Sequence, residues 1–81
     1  MTHVLEKIQG ETYREEKSRF KAALNEVVPH MDHFYSRMTA RKFPNRDLVH
    51  IRNVRQRGVV DWDVLKYWFQ EFKPQLLEAT V

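Results

Sequence analysis

Apolar residues recur along the chain at the three- and four-residue spacing of an α-helix, and no segment sustains the alternation that is typical of a strand. Two glycines and three prolines divide the sequence into short segments. This pattern predicts an all-α fold, a compact bundle of four to five short helices. Residues 1–81 have room for a single helical domain, which buries about 60 to 65% of its unfolded surface.

The first predicted helix covers residues 3–28. Thr12 and Glu15 form a candidate capping box just after Gly10, so a break at Gly10 is the alternative to one continuous helix. The helical spacing predicts a buried stripe made of Phe20, Leu24, Val27 and Val28.

A second helix is predicted after Pro29, a residue that suits the first turn of a helix or a kink. Its apolar residues occupy one face at i, i+3, i+4 and i+7, namely Met31, Phe34, Tyr35 and Met38. The dipeptide Phe43-Pro44 ends this helix, because the residue before a proline is pushed towards extended conformations.

The third predicted helix covers residues 46–57, with Asn45 as its N-cap and Gly58 in the left-handed conformation at its end. Asp61 then caps a fourth helix over residues 62–72. One side of this last helix carries Val64, Leu65, Trp68 and Phe72.

The composition favours a cytoplasmic protein. The chain has no cysteine, whereas small secreted domains usually depend on disulfides. No apolar run exceeds three residues, and Glu6 falls where a signal peptide needs its apolar stretch. We therefore expect neither a membrane-spanning helix nor secretion by that route.

Positive charge is concentrated in one part of the chain. The formal net charge is +3, but residues 36–58 hold seven basic side chains against one acid, Asp47. The remainder has seven basic and ten acidic residues, so it is negative. Such a local excess of positive charge is typical of a surface that attracts nucleic acid or an acidic protein.

A helical wheel of the third predicted helix places Leu48 and Ile51 on the inner face, with Val54 at its edge. Four residues share the opposite stripe: Arg46, His50, Asn53 and Arg57. Because arginine and asparagine read base edges and a helix fits the major groove, this stripe is the predicted recognition surface. Three further cations are predicted to contact phosphates: Arg41, Lys42 and Arg52. The alternative is an ordinary solvated helix face.

The aromatic residues of the fourth helix exceed what one core-facing stripe holds. Trp68 and Phe72 are interpreted as core residues. Trp62, Tyr67 and Phe69 predict an intermolecular contact, most simply a homodimer that pairs two basic helices.

The sequence shows no catalytic or metal-binding constellation. Three residues of types that bind zinc lie close together, His30, Asp32 and His33, but no further ligand is in reach of the histidine pair. The acids Glu15-Glu16 and Asp61/Asp63 are typical of first helical turns, where the helix dipole favours negative charge. The sequence therefore predicts no enzyme activity, metal or cofactor.

These observations predict a small non-enzymatic regulator that binds nucleic acid, with DNA favoured, through the basic helix at residues 46–57. The alternative, from a different class, is a protein-interaction module such as a phage-encoded inhibitor or adaptor. It would dock its Arg-rich and aromatic surfaces on an acidic partner protein. A structural subunit of a larger assembly is the third hypothesis.

Overall fold

The computed structural model describes residues 4–72, and its helices pack around one hydrophobic core. In chain order the helices are α1 (Tyr13–Val27), α2 (Tyr35–Lys42), α3 (Leu48–Arg57) and α4 (Trp62–Phe72), and a 3-10 turn at Val28–His30 directly follows α1. No β-strand occurs within this part of the chain. The predicted all-α bundle of short helices is confirmed.

Side chains from α1, α3 and α4 form the centre of the core. Those that are at most 1% exposed include Phe20, Val27, Ile51, Val54, Val64, Leu65, Trp68 and Phe69. Helix α1 packs on α4, and α2 packs on α3. Burial of one large apolar side chain contributes about 1.5 to 3 kcal/mol, so this cluster supplies the main favourable term in the free energy of folding.

Helix α1 begins at the predicted capping box. The backbone N–H of Thr12 donates to Glu15 Oε1 at 3.1 Å, and that of Glu15 donates to Thr12 Oγ1 at 3.2 Å. The hydrogen bonds from Thr12 hold the pKa of Glu15 below its ordinary value. Gly10 has a φ of +86°, so the break at Gly10 forms and the continuous helix does not. Of the predicted stripe, Val28 alone is only partly buried.

The segment before α1 is fastened to that helix by Arg19. Its guanidinium makes two hydrogen bonds of 2.8 Å to the carboxylate of Glu11 and donates to the carbonyl oxygens of Val4 and Glu6. Leu5 is thereby held in the core at 7% exposure. Sequence reasoning missed this clamp, because no local pattern links Arg19 to residues so far upstream.

The predicted apolar face of the second helix does not form as a unit. Met31 has extended backbone angles (φ −79°, ψ 137°), which separate it from α2. Asp32 then forms a turn. Its Oδ1 accepts a hydrogen bond from the backbone N–H of Phe34 at 2.7 Å, and its carbonyl oxygen accepts one from the backbone N–H of Tyr35 at 3.0 Å. Helix α2 therefore begins at Tyr35, which is buried, while Phe34 is 51% exposed.

The N-cap of α3 is Asp47 and not Asn45, so the predicted cap is wrong. Asp47 Oδ1 accepts a hydrogen bond from the backbone N–H of His50 at 2.7 Å, and the helix begins at Leu48 instead of residue 46. A carboxylate at this position satisfies a free amide and interacts favourably with the helix dipole, which explains the later start.

Three other predicted boundaries are confirmed. Helix α2 ends at Lys42, directly before Phe43-Pro44. Gly58 follows α3 with a φ of +68°, the left-handed conformation. Helix α4 begins at Trp62 as predicted, and Asp61 Oδ1 accepts a hydrogen bond of 3.4 Å from the backbone N–H of Val64 in its first turn.

A chain of polar contacts crosses the core between α2 and α4. Trp68 Nε1 donates to Thr39 Oγ1 at 2.7 Å, and this hydroxyl donates to the carbonyl of Tyr35 at 2.6 Å. The rings of Tyr35 and Trp68 meet edge to face with centroids 5.8 Å apart, and the guanidinium of Arg55 lies 4.5 Å from the Tyr35 centroid. Buried polar groups need such partners because water cannot reach them.

Candidate nucleic-acid interface

The predicted recognition stripe of α3 does not form one solvent-facing surface. Leu48, predicted for the inner face, is 40% exposed, whereas Val54, predicted for the edge, is completely buried. The helix is therefore rotated about its axis relative to the prediction, so that Ile51 and Val54 face the core and Leu48 does not. Its exposed side holds Leu48, Val49, Arg52 and Gln56, and the predicted stripe lies on a flank.

Arg46 is bound inside the fold. Its Nε and Nη2 donate to the two carboxylate oxygens of Asp61 at 3.1 and 3.2 Å, and Nη2 also lies 3.4 Å from Asp63 Oδ2. The hydrogen bond with Asp61 raises the pKa of Arg46, whose side chain is 23% exposed. The prediction that Arg46 faces a nucleic-acid groove is therefore wrong, because acids at the start of α4 compensate its charge.

His50 joins the same group, which we call the Asp61 cluster: Arg46, His50 and Asp61. The Nε2 of His50 lies 2.8 Å from Asp61 Oδ2, and the side chain is 36% exposed. Burial raises the pKa of Asp61, whose side chain is 8% exposed, but hydrogen bonds from Arg46 and His50 outweigh burial and hold it below its ordinary value. The cluster joins α3 to α4, so the Nε2 of His50 is engaged inside the fold and does not face a base edge.

The other predicted contact residues keep their side chains available. Arg57 is exposed and Asn53 half-buried, and neither side chain has a polar partner among residues 4–72. The three predicted phosphate contacts, Arg41, Lys42 and Arg52, are all exposed. The predicted site is thus divided: Arg46 and His50 hold α3 to α4, and the other predicted residues remain available to a ligand.

Arg41 and Lys42 lie at the rim of a groove between α2 and α4. The groove has a volume of about 450 Å³, and Met38, Tyr67 and Glu71 complete its lining. Burial raises the pKa of the Tyr67 phenol, the nearby Glu71 raises it further, and Arg41 opposes both. The phenol is therefore neutral at physiological pH, and two cations face one carboxylate in this groove.

Most acids in the described part of the chain are used for internal contacts. They cap helices, bind arginines inside the fold or accept hydrogen bonds from backbone and indole N–H groups: Glu11, Glu15, Glu16, Asp32, Asp47, Asp61 and Asp63. The opposite holds for many cations, which have no acid within 4.0 Å among residues 4–72: Arg14, Lys17, Lys21, Arg37, Arg41, Lys42, Arg52 and Arg57. These hydrogen bonds do not neutralise the carboxylates, and Glu15, Asp32, Asp47 and Asp63 stay exposed. The difference is that the acids have partners within the fold, whereas these cations have no acidic partner among the described residues.

The predicted dimer contact is wrong for Phe69, which is 1% exposed and has no surface left for a partner. Trp62 is half-buried against α1, where its ring meets Phe20 edge to face at 5.0 Å. Tyr67 is half-buried and meets Phe43 at 5.8 Å. Helix α4 is enclosed from several sides, so more of its circumference is buried than one stripe would require.

Comparison of the chain with protein families, with curated proteins and with solved structures finds no match. Within residues 4–72, no three histidine, cysteine, aspartate or glutamate side chains are grouped so that they could hold a metal ion. None of the four helices described has the length and apolar character that crossing a bilayer requires.

Proposed function

We propose that this chain is a small cytoplasmic regulator that binds nucleic acid, most simply duplex DNA, and catalyses no reaction on it. The observation that carries this proposal is a group of exposed cations on α2 and α3, Arg41, Lys42, Arg52 and Arg57, that have no acid within 4.0 Å among residues 4–72. Cations that neutralise phosphates release condensed counterions, and this release is a main source of affinity for nucleic acid.

The proposed contacts are Arg41 and Lys42 at the end of α2 and Arg52 and Arg57 on α3. Helices α2 and α3 pack against each other, so these cations belong to neighbouring surfaces. Since Arg46 and His50 are held by Asp61, only half of the predicted stripe, Asn53 and Arg57, is left to read a base edge, and Asn53 is half-buried. We therefore expect phosphate contacts and little sequence preference.

Binding of a labelled duplex of two helical turns, followed by fluorescence anisotropy between about 50 and 200 mM salt, tests this proposal. The double substitution Arg52→Gln with Arg57→Gln weakens binding and lowers the slope of log K against log salt by about 0.9 for each lost phosphate contact. Lys66→Gln is the matched control, because Lys66 is an exposed cation on α4 that lies 4.0 Å from Glu6. Absence of binding to duplex and single strands at low salt would refute the proposal.

A second candidate function rests on the apolar residues of the exposed side of α3. Leu48 is 40% and Val49 is 65% exposed, and Arg52 is exposed beside them. An apolar patch with an adjacent cation fits an acidic protein surface with an apolar centre. In this candidate the chain is an inhibitor or adaptor that docks α3 on such a surface. The homodimer stays a prediction, which light scattering of the purified chain tests directly.

A further inference from the structure

A second basic surface runs along α1, outside the segment that the charge pattern of the sequence singles out. Arg14, Lys17 and Lys21 follow one another at i, i+3 and i+7, which places them along one side of the helix. With Tyr13 and Ser18 they line a shallow groove of about 550 Å³, which we call the α1 groove. The cations span about 10 Å along the helix axis.

Among residues 4–72, no acid lies within 4.0 Å of the cations that line the α1 groove. No acid occurs three or four positions before or after Lys17 or Lys21, where side chains are neighbours on a helix. Glu11 is the one acid at such a distance from Arg14, and the guanidinium of Arg19 holds it through two hydrogen bonds. Like charges at this spacing destabilise a helix, and a bound polyanion would offset that cost.

Tyr13 adds an aromatic surface to the α1 groove. Its side chain is at the first position of α1 and is 65% exposed, the largest exposure of any aromatic residue described here. No ring of residues 4–72 stacks on it. An exposed aromatic ring beside a row of cations is the combination that single-strand binding proteins use, since every base has a face that stacks.

Lys21 connects the α1 groove to the end of α3. A Cβ placed on Gly58 would lie 2.6 Å from both Cγ and Cε of Lys21, so the aliphatic part of this side chain rests directly on Gly58. Gly58 is buried and follows Arg57, one of the proposed phosphate contacts. The two basic surfaces therefore meet where Lys21 crosses Gly58.

We propose that the α1 groove binds single-stranded nucleic acid, with phosphates on Arg14, Lys17 and Lys21 and a base stacked on Tyr13. The inference rests on the proposed function and goes beyond it, because it assigns a single-stranded ligand to a surface separate from the duplex contacts on α2 and α3. At about 3.4 Å per phosphate of a stacked strand, the row of cations matches roughly three phosphates. A duplex keeps its bases stacked inside, so a single strand alone offers a base to Tyr13.

The test compares a labelled oligothymidylate with the duplex probe on the full chain. Tyr13→Ala weakens oligothymidylate binding by about fivefold or more, whereas Tyr13→Phe, which keeps the stacking face, binds as the wild type does. Lys17→Gln lowers the salt slope for the single strand by about 0.7, and Lys17→Arg restores it. Lys66→Gln is again the control cation, and circular dichroism verifies that each variant is folded.

The outcomes separate this inference from the proposed function. If the wild type binds nucleic acid but Tyr13→Ala and Lys17→Gln leave oligothymidylate binding unchanged, the groove assignment is overturned and the function stands. If the wild type binds neither probe, both are overturned. If polyglutamate binds as tightly as oligothymidylate, and Tyr13→Ala does not affect it, the groove is a site for an acidic protein and the inference is wrong.

Discussion

The indole nitrogen of Trp68 lies 2.7 Å from Oγ1 of Thr39, and both side chains are completely shielded from solvent. The same hydroxyl donates to the carbonyl of Tyr35 at 2.6 Å, so one oxygen serves as acceptor and donor. Helix α2 has eight residues, too few for stability by itself, so tertiary contacts must hold it. This hydrogen bond fixes α2 to α4, and it thereby positions Arg41 and Lys42 at their groove.

Thr39→Val should lower the free energy of unfolding by about 1 to 3 kcal/mol, because the isosteric side chain leaves the Trp68 indole N–H without an acceptor. Thr39→Ser is the matched control, since it keeps the hydroxyl and loses one methyl group, at a cost of about 1 kcal/mol. Urea denaturation measures both. If Thr39→Val were as stable as the wild type and only Thr39→Ser lost stability, methyl packing, and not the hydrogen bond, would stabilise this contact.

The Asp61 cluster makes stability depend on acid pH. Because the pKa of Asp61 is lower in the folded than in the unfolded chain, the folded state binds fewer protons than the unfolded state as the carboxyl titrates. The stability from this shift is fully present above the ordinary carboxyl pKa of about 3.9, and it is lost as the pH falls through the lower folded-state value. Urea denaturation of the wild type between neutral pH and about pH 3 should show this loss.

Asp61→Asn removes the ionisable group, and it should cost about 2 kcal/mol at neutral pH, as is typical of hydrogen bonds to charged groups. The variant should also lose less stability on acidification than the wild type. Part of the acid dependence remains, because the pKa values of Glu11 and Glu15 are lowered as well. Parallel pH profiles for wild type and variant would contradict the role given to Asp61.

The two glycines with positive φ provide a comparison of backbone strain and crowding. Gly10→Ala places a methyl group in open space at a φ of +86°, so the left-handed conformation alone costs about 1 to 2 kcal/mol. Gly58→Ala meets the same backbone penalty and also displaces Lys21, whose carbons lie 2.6 Å from the new Cβ. Thermal unfolding should therefore show the larger decrease in Tm for Gly58→Ala. The reverse order would mean that the Lys21 side chain moves away at no cost.

Local signals in the sequence predicted the elements whose boundaries depend on a few neighbouring residues. The capping box of Thr12 and Glu15, the left-handed Gly58 and the start of α4 are of this kind. The rotation of α3 was not predictable in this way, because Leu48 and Val49 are apolar as well as Ile51. Which of them faces the core depends on how α3 packs, and the local pattern does not contain that information.

The sequence also failed to predict which charged side chains have partners inside the fold, for a related reason. A count of charged residues along the sequence cannot show that Arg46 pairs with Asp61, 15 positions later, because only the fold brings the two side chains together. The α1 groove was missed because Glu15, Glu16 and Glu26 cancel its cations in any count. Those glutamates lie elsewhere on the helix, and at least the first two are engaged in hydrogen bonds of their own.

Val49 separates the two candidate functions experimentally. Its side chain is 65% exposed, so Val49→Ser should change the free energy of unfolding by less than about 0.5 kcal/mol. The substitution removes apolar surface and leaves every charge in place, so nucleic-acid affinity and its salt slope should stay at wild-type values. Capture of a protein partner from a nuclease-treated lysate should be lost if the exposed side of α3 is a docking surface. If Val49→Ser captures the same protein as the wild type, α3 is not a protein-docking helix. If Arg41→Gln and Lys42→Gln also abolish nucleic-acid binding, nucleic acid is the ligand of the basic surface.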